Sequence, residues 1–300
     1  MDVDVLIVGG GPAGASAALV LARCRRSVLL CDDGKARNRS SSAIHGLVIG
    51  EGMPPEEYRA LANATLSRYS NVRRLDERAR AIVKEGRGFS FRTASRSGIA
   101  KNVLLATGLV DELPELRGLE NFYGHSVHHC LYCDAYEYRD RPIAAYGKGK
   151  KGADLARMML LWSNDIVLCT DGAALAERER RDMDARGIQV IEQPIAALLG
   201  VDRSLTAIAF EQGHTTSRVG LFFSTGCHPA SDLWRQLGCE SAENGSVRCD
   251  PLTCETSVAG VYVAGDASRD VLQVAAAMGE GVRAAITINK KMLREDGLCE

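Results

Sequence analysis

Val3-Asp4-Val5-Leu6-Ile7-Val8-Gly9-Gly10-Gly11-Pro12-Ala13-Gly14 is the stretch that decides the fold. Val3 to Val8 is a β-branched apolar run that stops at glycines, and Pro12 to Arg23 then carries Ala and Leu at helical spacing. With the apolar run Val28 to Cys31 this makes a strand-turn-helix-strand unit. In such a unit each glycine has a mechanical task. Gly9 permits the tight turn, Gly11 lets backbone approach a pyrophosphate, and Gly14 lets helix and strand pack closely. The helix start, with its free N–H groups and positive dipole end, takes the phosphates. Asp32 follows eighteen residues after Gly14, at the end of the second strand, where an acid accepts hydrogen bonds from a ribose. Strand, helix and acid together turn a weak glycine pattern into a dinucleotide-binding fingerprint.

The pattern recurs. Pro142 to Tyr146 reads as a strand, Gly147-Lys148-Gly149-Lys150-Lys151-Gly152 as a second GxGxxG, and Ala153 to Trp162 as a helix. Asp165 to Cys169 is the next strand, and Ala174 to Ala185 a charged, solvated helix. Between the two units, Pro54-Pro55 opens a helix running to about Tyr69, prolines and acids being tolerated at a helix start. The segments 80–84, 89–93 and 103–106 suggest a small antiparallel insertion. Near the C-terminus Gly260 to Asp266 is a strand ending in Gly265-Asp266, and Val274 to Lys291 a long helix. The fold class is therefore α/β, with two Rossmann-like three-layer domains, the second inserted into the first. Residues 1–111 and 227–300 form the discontinuous first domain, and 112–226 the second.

Cys130-Leu131-Tyr132-Cys133-Asp134 lies between the two glycine motifs. A CxxC closes a small disulfide or helps to hold a metal. Zinc normally needs four ligands, and no second CxxC exists; His128 and His129, adjacent on an extended segment, point to opposite faces. Redox is the favoured reading. His128 and His129 tune a thiol or simply pack in a loop. The other eight of the ten cysteines have no regular spacing, and most sit in apolar strand-like runs, as small hydrophobes do in a reducing cytosol. Cys299 reads as a shuttle thiol or, more simply, as part of a frayed tail.

Composition narrows the classes. The 300 residues are 46% hydrophobic and 25% charged, enough for sizeable cores. Lys and Arg total 37 against 38 Asp and Glu, so no charge excess points to nucleic acid or an anionic membrane. No apolar run reaches about 18 residues, the length of a membrane span, and the N-terminus runs straight into a strand with no signal-peptide pattern. A cytoplasmic location is expected.

The Gly9–Gly14 fingerprint, Ala106-Thr107-Gly108, the CxxC followed by Asp134, the central GxGxxG, and Gly265-Asp266 followed by Gln273-Val274-Ala275 resemble, in order and spacing, the low-molecular-weight thioredoxin reductases. The resemblance covers nearly the whole chain. It implies FAD as cofactor, with Gly9, Gly11, Pro12, Ala13, Gly14 and Asp32 at its adenosine and pyrophosphate. Asp266 would meet the ribityl or pyrophosphate end, and Gln273, Val274 and Ala275 would border the flavin ring. It also implies that Cys133 faces the flavin, that Cys130 attacks the substrate disulfide, and that Asp134 serves as acid or base; Asp134 as a helix cap is an equal reading. A homodimer acting on thioredoxin or a similar protein is expected.

Two departures widen the expectation. The family usually carries GGGxSA at the second site and a His-Arg-Arg cluster for the 2′-phosphate of NADPH. This chain has Gly147, Gly149 and Gly152 among lysines, and Asp171 where a phosphate would sit, so NADP(H) is undecided. The segment Asp33-Gly34-Lys35-Ala36-Arg37-Asn38, with His45-Gly46-Leu47, Pro54-Pro55 and Tyr136-Glu137 after the CxxC, resembles a branch that includes dithiol oxidases of epidithio natural products. There Asp33, Lys35, Arg37, Asn38 and His45 would lie at FAD, Gly108 again marking the turn after its strand. Those oxidases have histidine after the second cysteine, where this chain has Asp134. The alternatives are thus a disulfide reductase, an O2-dependent oxidase of a small dithiol, a ferredoxin-linked thioredoxin reductase and, more remotely, a non-catalytic flavin-binding protein.

Overall fold

The computed structural model describes residues 1–268 and 271–299, and the chain folds as two compact units. The first comprises 1–39, 46–110 and 227–300; the second, 40–45 and 111–226. His45 and Asp111 thus belong to the second unit, one short stretch of it being supplied from within the first glycine-motif half of the chain.

The first unit is built on a seven-stranded sheet. Val72–Leu75, Val28–Cys31, Asp2–Val8 and Ser97–Leu105 run parallel, in that order. The strand Asp2–Val8 is largely apolar because both its faces are covered. Leu6 and Val8 join Phe89, Phe91 and Trp234 in one core, while Val5 and Ile7 join Ala17, Leu21 and Ile288 in another. The helix Pro12–Arg23 starts at the proline as expected, and the C-terminal helix extends beyond Lys291, to Glu295. These two helices touch at backbone distance, since a Cβ on Gly281 would lie 2.0 Å from the Ala13 carbonyl oxygen.

The segment 103–106 differs from expectation. It is the end of the strand Ser97–Leu105, paired in parallel with Asp2–Val8 on one side and with Val261–Val263 on the other. The antiparallel part is instead Ala81–Glu85 against Gly88–Arg92, and Gly88–Arg92 against the first half of Ser97–Leu105, on the edge that Val261–Val263 then takes over. A strand covered on both faces carries no period-two signal to tell the two pairings apart.

The second unit is a five-stranded parallel sheet in the order Gln189–Ile191, Ile166–Cys169, Ile143–Tyr146, Gly220–Phe223, Val127–His128. One face packs on Ala153, Ala156, Met159 and Met183 of the helices Gly149–Met159 and Glu177–Ala185. The other packs on Ile195, Leu198, Ile208 and Phe210 of an antiparallel three-stranded layer, Ile195–Val201, Ser204–Phe210 and Thr215–Ser217.

Candidate active site

The cysteine pair begins where the edge strand Val127–His128 ends. Cys130 is extended, and Leu131–Asp134 forms a single helical turn. Its orientation is fixed by alternation of size and polarity: Leu131, Ala135 and Tyr138 are buried among Ile143, Ala145 and Phe222. Tyr132 and Tyr136, four apart on the opposite face, are 71% and 62% exposed. Cys130 and Cys133 form a disulfide with their Cα atoms 5.3 Å apart, and both are partly accessible. Cys130 Sγ also accepts a hydrogen bond from the Cys133 N–H at 3.2 Å. That donor favours negative charge on the Cys130 sulfur.

The paired histidines do point to opposite faces. His129 lies toward Phe223 and Tyr123, with Nδ1 3.1 Å from the Tyr123 hydroxyl and Nε2 3.7 Å from Asp111 Oδ2. His128, buried and stacked on Phe222, sits with Nδ1 3.3 Å from Asp134 Oδ1 and Nε2 3.1 Å from the Tyr138 hydroxyl. Tyr138 in turn donates to the His125 carbonyl oxygen at 2.7 Å. Burial, and then the Asp134 carboxylate, push the Tyr138 phenol up to about 12. Burial lowers His125, assisted by Arg203. Sequence reading missed this Asp134–His128–Tyr138–His125 chain; its spacing matches no simple motif. Among the described residues, no group of three or more His, Cys, Asp or Glu side chains is arranged to hold a metal ion.

The remaining cysteines divide by environment. Cys31 and Cys169 are buried, and burial pushes both thiols up to about 12; Cys239 is raised for the same reason. Cys24, Cys227 and Cys299 are exposed and Cys249 is half-buried, so the reading of small buried hydrophobes does not extend to these four. Cys24 closes the helix Pro12–Arg23, and Cys299 belongs to the C-terminal segment.

In the first unit the fingerprint residues form a cradle. Gly9 has φ +104°, and a Cβ on Gly14 would stand 1.9 Å from the Gly9 carbonyl oxygen, so both positions require glycine. A Cβ on Gly11 meets nothing within 4 Å, which leaves open space directly before Pro12 and Ala13 at the helix start. Asp32 is held by Arg59 at 3.0 Å, with Arg74 at 3.7 Å, two partners that sequence reading did not supply. Asp33 pairs with Arg78 and accepts the Lys35 N–H at 3.2 Å. Burial pushes Asp33 up, but these partners outweigh it and hold the carboxyl below its ordinary range.

Arg37, in the single turn Arg37–Ser40 that also carries Asn38, reaches Asp266 at 3.1 Å across 229 residues of sequence. Gly265, at φ +79°, donates its N–H to Glu280 at 2.8 Å. Gln273 precedes the helix that starts with Val274 and Ala275, and its Oε1 lies beside Gly46. Gly108 has φ +68° and open space around it. The structure thus brings Gly9, Gly11, Pro12, Ala13, Gly14, Asp32, Arg37 and Asp266 into one unit, whereas His45 falls in the other. An open face at Gly11 beside a helix start, and a paired Arg37–Asp266, suit a dinucleotide's phosphates and sugars.

At the second glycine motif, a Cβ on Gly152 would lie 2.1 Å from the Gly147 carbonyl oxygen, and Gly149 takes φ +55° in open space. Lys148 and Lys151 are exposed, and Lys150 pairs with Asp154 at 2.6 Å. Asp171 is internally engaged, accepting the Ile195 N–H at 3.0 Å and the Tyr146 hydroxyl at 3.1 Å.

Two α/β units with glycine-built strand-to-helix turns and a CxxC disulfide suit a flavoprotein oxidoreductase of thiol-disulfide type. Residues 3–281 match the pyridine nucleotide-disulphide oxidoreductase family, and the chain belongs to it. FAD is the cofactor of this family, and the relatives are of thioredoxin-reductase kind. Thioredoxin reductase sirT of Leptosphaeria maculans is 28% identical over 98% of this chain and 95% of its own. Thioredoxin reductase tcpT of Claviceps purpurea is 30% identical over 88% of this chain and 86% of its own. Among solved structures, HlmI superposes with a TM-score of 0.94 at 31% identity, covering 99% of this chain and 94% of that one. An oxidoreductase from Agrobacterium tumefaciens gives 0.88 at 30% identity, covering 98% and 99%. No described helix is long and apolar enough to cross a membrane.

Proposed function

We propose that this protein is an FAD-dependent thiol-disulfide oxidoreductase of thioredoxin-reductase type, passing two electrons between flavin and a substrate disulfide through Cys133 and Cys130. The observation that carries this is the Cys130–Cys133 disulfide, held on a buried anchor and flanked by exposed Tyr132 and Tyr136. Gly9, Gly11, Pro12, Ala13 and Gly14 would hold the FAD pyrophosphate, with Asp32, Asp33, Lys35, Arg37, Asn38, Gly108, Gly265 and Asp266 around it. Gln273, Val274 and Ala275 would lie at the ring; His45, the remaining member of the expected set, falls in the second unit. Bound FAD supplies the two-electron couple that the cysteine pair draws on.

The chain's own chemistry is exchange. A Cys130 thiolate, favoured by the Cys133 N–H, attacks one sulfur of the substrate disulfide and expels the other as a thiolate. Cys133 then attacks Cys130 Sγ, closing the enzyme disulfide and expelling the second thiolate. Asp134, next to Cys133, gives and takes the protons. The relatives' names favour a thioredoxin-like protein as substrate; a homodimer and a reducing compartment are part of the proposal, and surface thiols at Cys24, Cys227 and Cys299 fit the latter.

A second reading is favoured by Asp171. A carboxylate at the position of the 2′-phosphate opposes NADPH, so electrons would come from reduced ferredoxin or from a small dithiol that O2 finally oxidises. An anaerobic titration separates the readings. Bleaching of the flavin by stoichiometric NADPH supports the ordinary reductase, and bleaching only by a dithiol or reduced ferredoxin supports the second. If Cys133→Ser binds FAD yet exchanges thiols as fast as the parent, the whole assignment falls.

A further inference from the structure

The chain behind the disulfide can be read for its protons. The Tyr138 hydroxyl lies 2.7 Å from the His125 carbonyl oxygen, which only accepts, so the phenol's one proton points there. His128 Nε2, 3.1 Å from the same phenol oxygen, must then be the donor and carries a proton. On the other side of the ring, Nδ1 stands 3.3 Å from Asp134 Oδ1. A bare ring nitrogen facing an ionised carboxylate would set two acceptors against each other. The two groups stand at ion-pair distance, so a proton carried on Nδ1 would meet the carboxylate directly.

The surroundings hold this arrangement in place. His128 is 5% exposed, stacked on Phe222 with ring centres 5.4 Å apart. The groups facing the chain are few: Glu137 and Arg141 act on Tyr138, and Arg203 sits 2.8 Å from His125 Nε2 on the far side. The phenol, pushed up to about 12 by burial and by Asp134, keeps its proton through the neutral range, so the direction of the chain is fixed.

We propose that His128 is a positioning residue for thiol-disulfide exchange, storing with Asp134 one proton that the leaving thiolate takes. The inference rests on the reading of Asp134 as the acid–base group. The Cys130 thiolate attacks RSSR′, forming the mixed disulfide with R and breaking the R–R′ sulfur bond; R′S⁻ takes the stored proton. The emptied pair accepts the Cys133 proton as that sulfur attacks Cys130 Sγ, and passes it to the departing RS⁻. Two electrons have moved from the cysteine pair to the substrate disulfide, and one proton from water refills the Asp134–His128 pair.

The test uses FAD-loaded full-length protein and two probes. Hydroxyethyl disulfide expels a thiolate that needs a proton, whereas 5,5′-dithiobis(2-nitrobenzoate) expels one that is stable without it. In His128→Asn, whose amide is polar but holds no titrating proton, the ratio of the first rate to the second should fall about tenfold. The pH profile with hydroxyethyl disulfide should lose an inflection. Asp134→Asn should lower the same ratio about a hundredfold. An unchanged ratio in Asp134→Asn sinks the acid–base reading itself. A lowered ratio there with an unchanged one in His128→Asn, or equal slowing on both probes, overturns only the role of His128. Long-range 1H–15N correlation on histidine-labelled parent protein decides independently of folding in the variants. Nε2 of His128 should be protonated throughout the neutral range, and a bare Nε2 with its proton on Nδ1 overturns the proposal.

Discussion

The cradle at Gly11 and the close approach at Gly14 make opposite predictions for the same substitution. Gly11 caps the helix Pro12–Arg23 with φ −69° and ψ −173°, a conformation alanine adopts freely, and its Cβ would meet no atom within 4 Å. Gly11→Ala should therefore leave the flavin-free protein as stable as the parent, or stabilise it by about 0.4–1 kcal/mol through the unfolded chain. The new methyl, however, occupies the space in which a pyrophosphate oxygen would approach the helix N–H groups. Displacing one charge-assisted hydrogen bond loses about 1.5–3 kcal/mol, which is roughly a ten- to hundredfold rise in Kd. In Gly14→Ala the Cβ would stand 1.9 Å from a backbone oxygen that cannot rotate away. Strand and helix must separate, at a cost of about 1–3 kcal/mol or more. Thermal unfolding of flavin-stripped protein and quenching of flavin fluorescence on titration with FAD measure the two quantities separately. If Gly11→Ala binds FAD within about twofold of the parent, the open face is not the phosphate site and the cradle assignment fails.

Two further outcomes test particular contacts. Asp4 accepts Lys101 at 2.9 Å and the Ser27 N–H at 2.8 Å; burial pushes its pKa up, but these bonds outweigh burial and hold it below the ordinary carboxylate value. A depressed folded pKa gives stability that is present above the unfolded value and lost as pH falls through the folded one. Asp4→Asn should thus cost about 1 kcal/mol near neutral pH and progressively less in acid, and denaturation midpoints that differ equally at both pH values would refute this. Asp171→Ala strips acceptors from the Ile195 N–H and the Tyr146 hydroxyl and should cost about 2 kcal/mol in denaturant unfolding; a negligible loss would mean that the latch is ornamental to folding.

How much of this was legible depended on whether a residue's neighbours are local. The turn at Gly9 and the helix from Pro12 to Arg23 follow from sequence because the glycine, the proline and the apolar spacing act within one turn of each other. Val72–Leu75 escaped notice because Arg73 and Arg74 interrupt the apolar run, as an edge strand permits. The layer Ile195–Phe210 shows no clean alternation, because exposed Leu199 and Val201 accompany the buried Ile195, Leu198, Ile208 and Phe210. At the site, the two cysteines and Asp134 were visible as a motif. Arg59 and Arg74 on Asp32, and His128 under Asp134, were not, because each pairing is fixed by packing between elements rather than by spacing along the chain.

The second unit shows why its departures gather at one rim. Its five strands run parallel, so the segments after His128, Tyr146, Cys169 and Phe223 all leave the same edge of the sheet, the edge at which open α/β sheets place their ligands. The disulfide follows the first of these, the glycine loop the second, and Asp171 the third. One strand, Gly220–Phe223, separates the disulfide's strand from that of the glycine loop, which at about 4.8 Å per strand sets the two strand ends roughly 10 Å apart. Burial fixes everything beneath this rim, since Ala144, Ala145, Val167 and Leu168 admit neither charge nor bulk. Change is therefore confined to the residues that emerge from it. Asp171 shows the consequence, because a carboxylate bound to both Tyr146 and Ile195 ties the ends of two strands to the next layer. In that position it serves the fold with both oxygens; under the proposed second reading, in which the same oxygens oppose a 2′-phosphate, one side chain would set both the donor preference of the site and the stability of its rim.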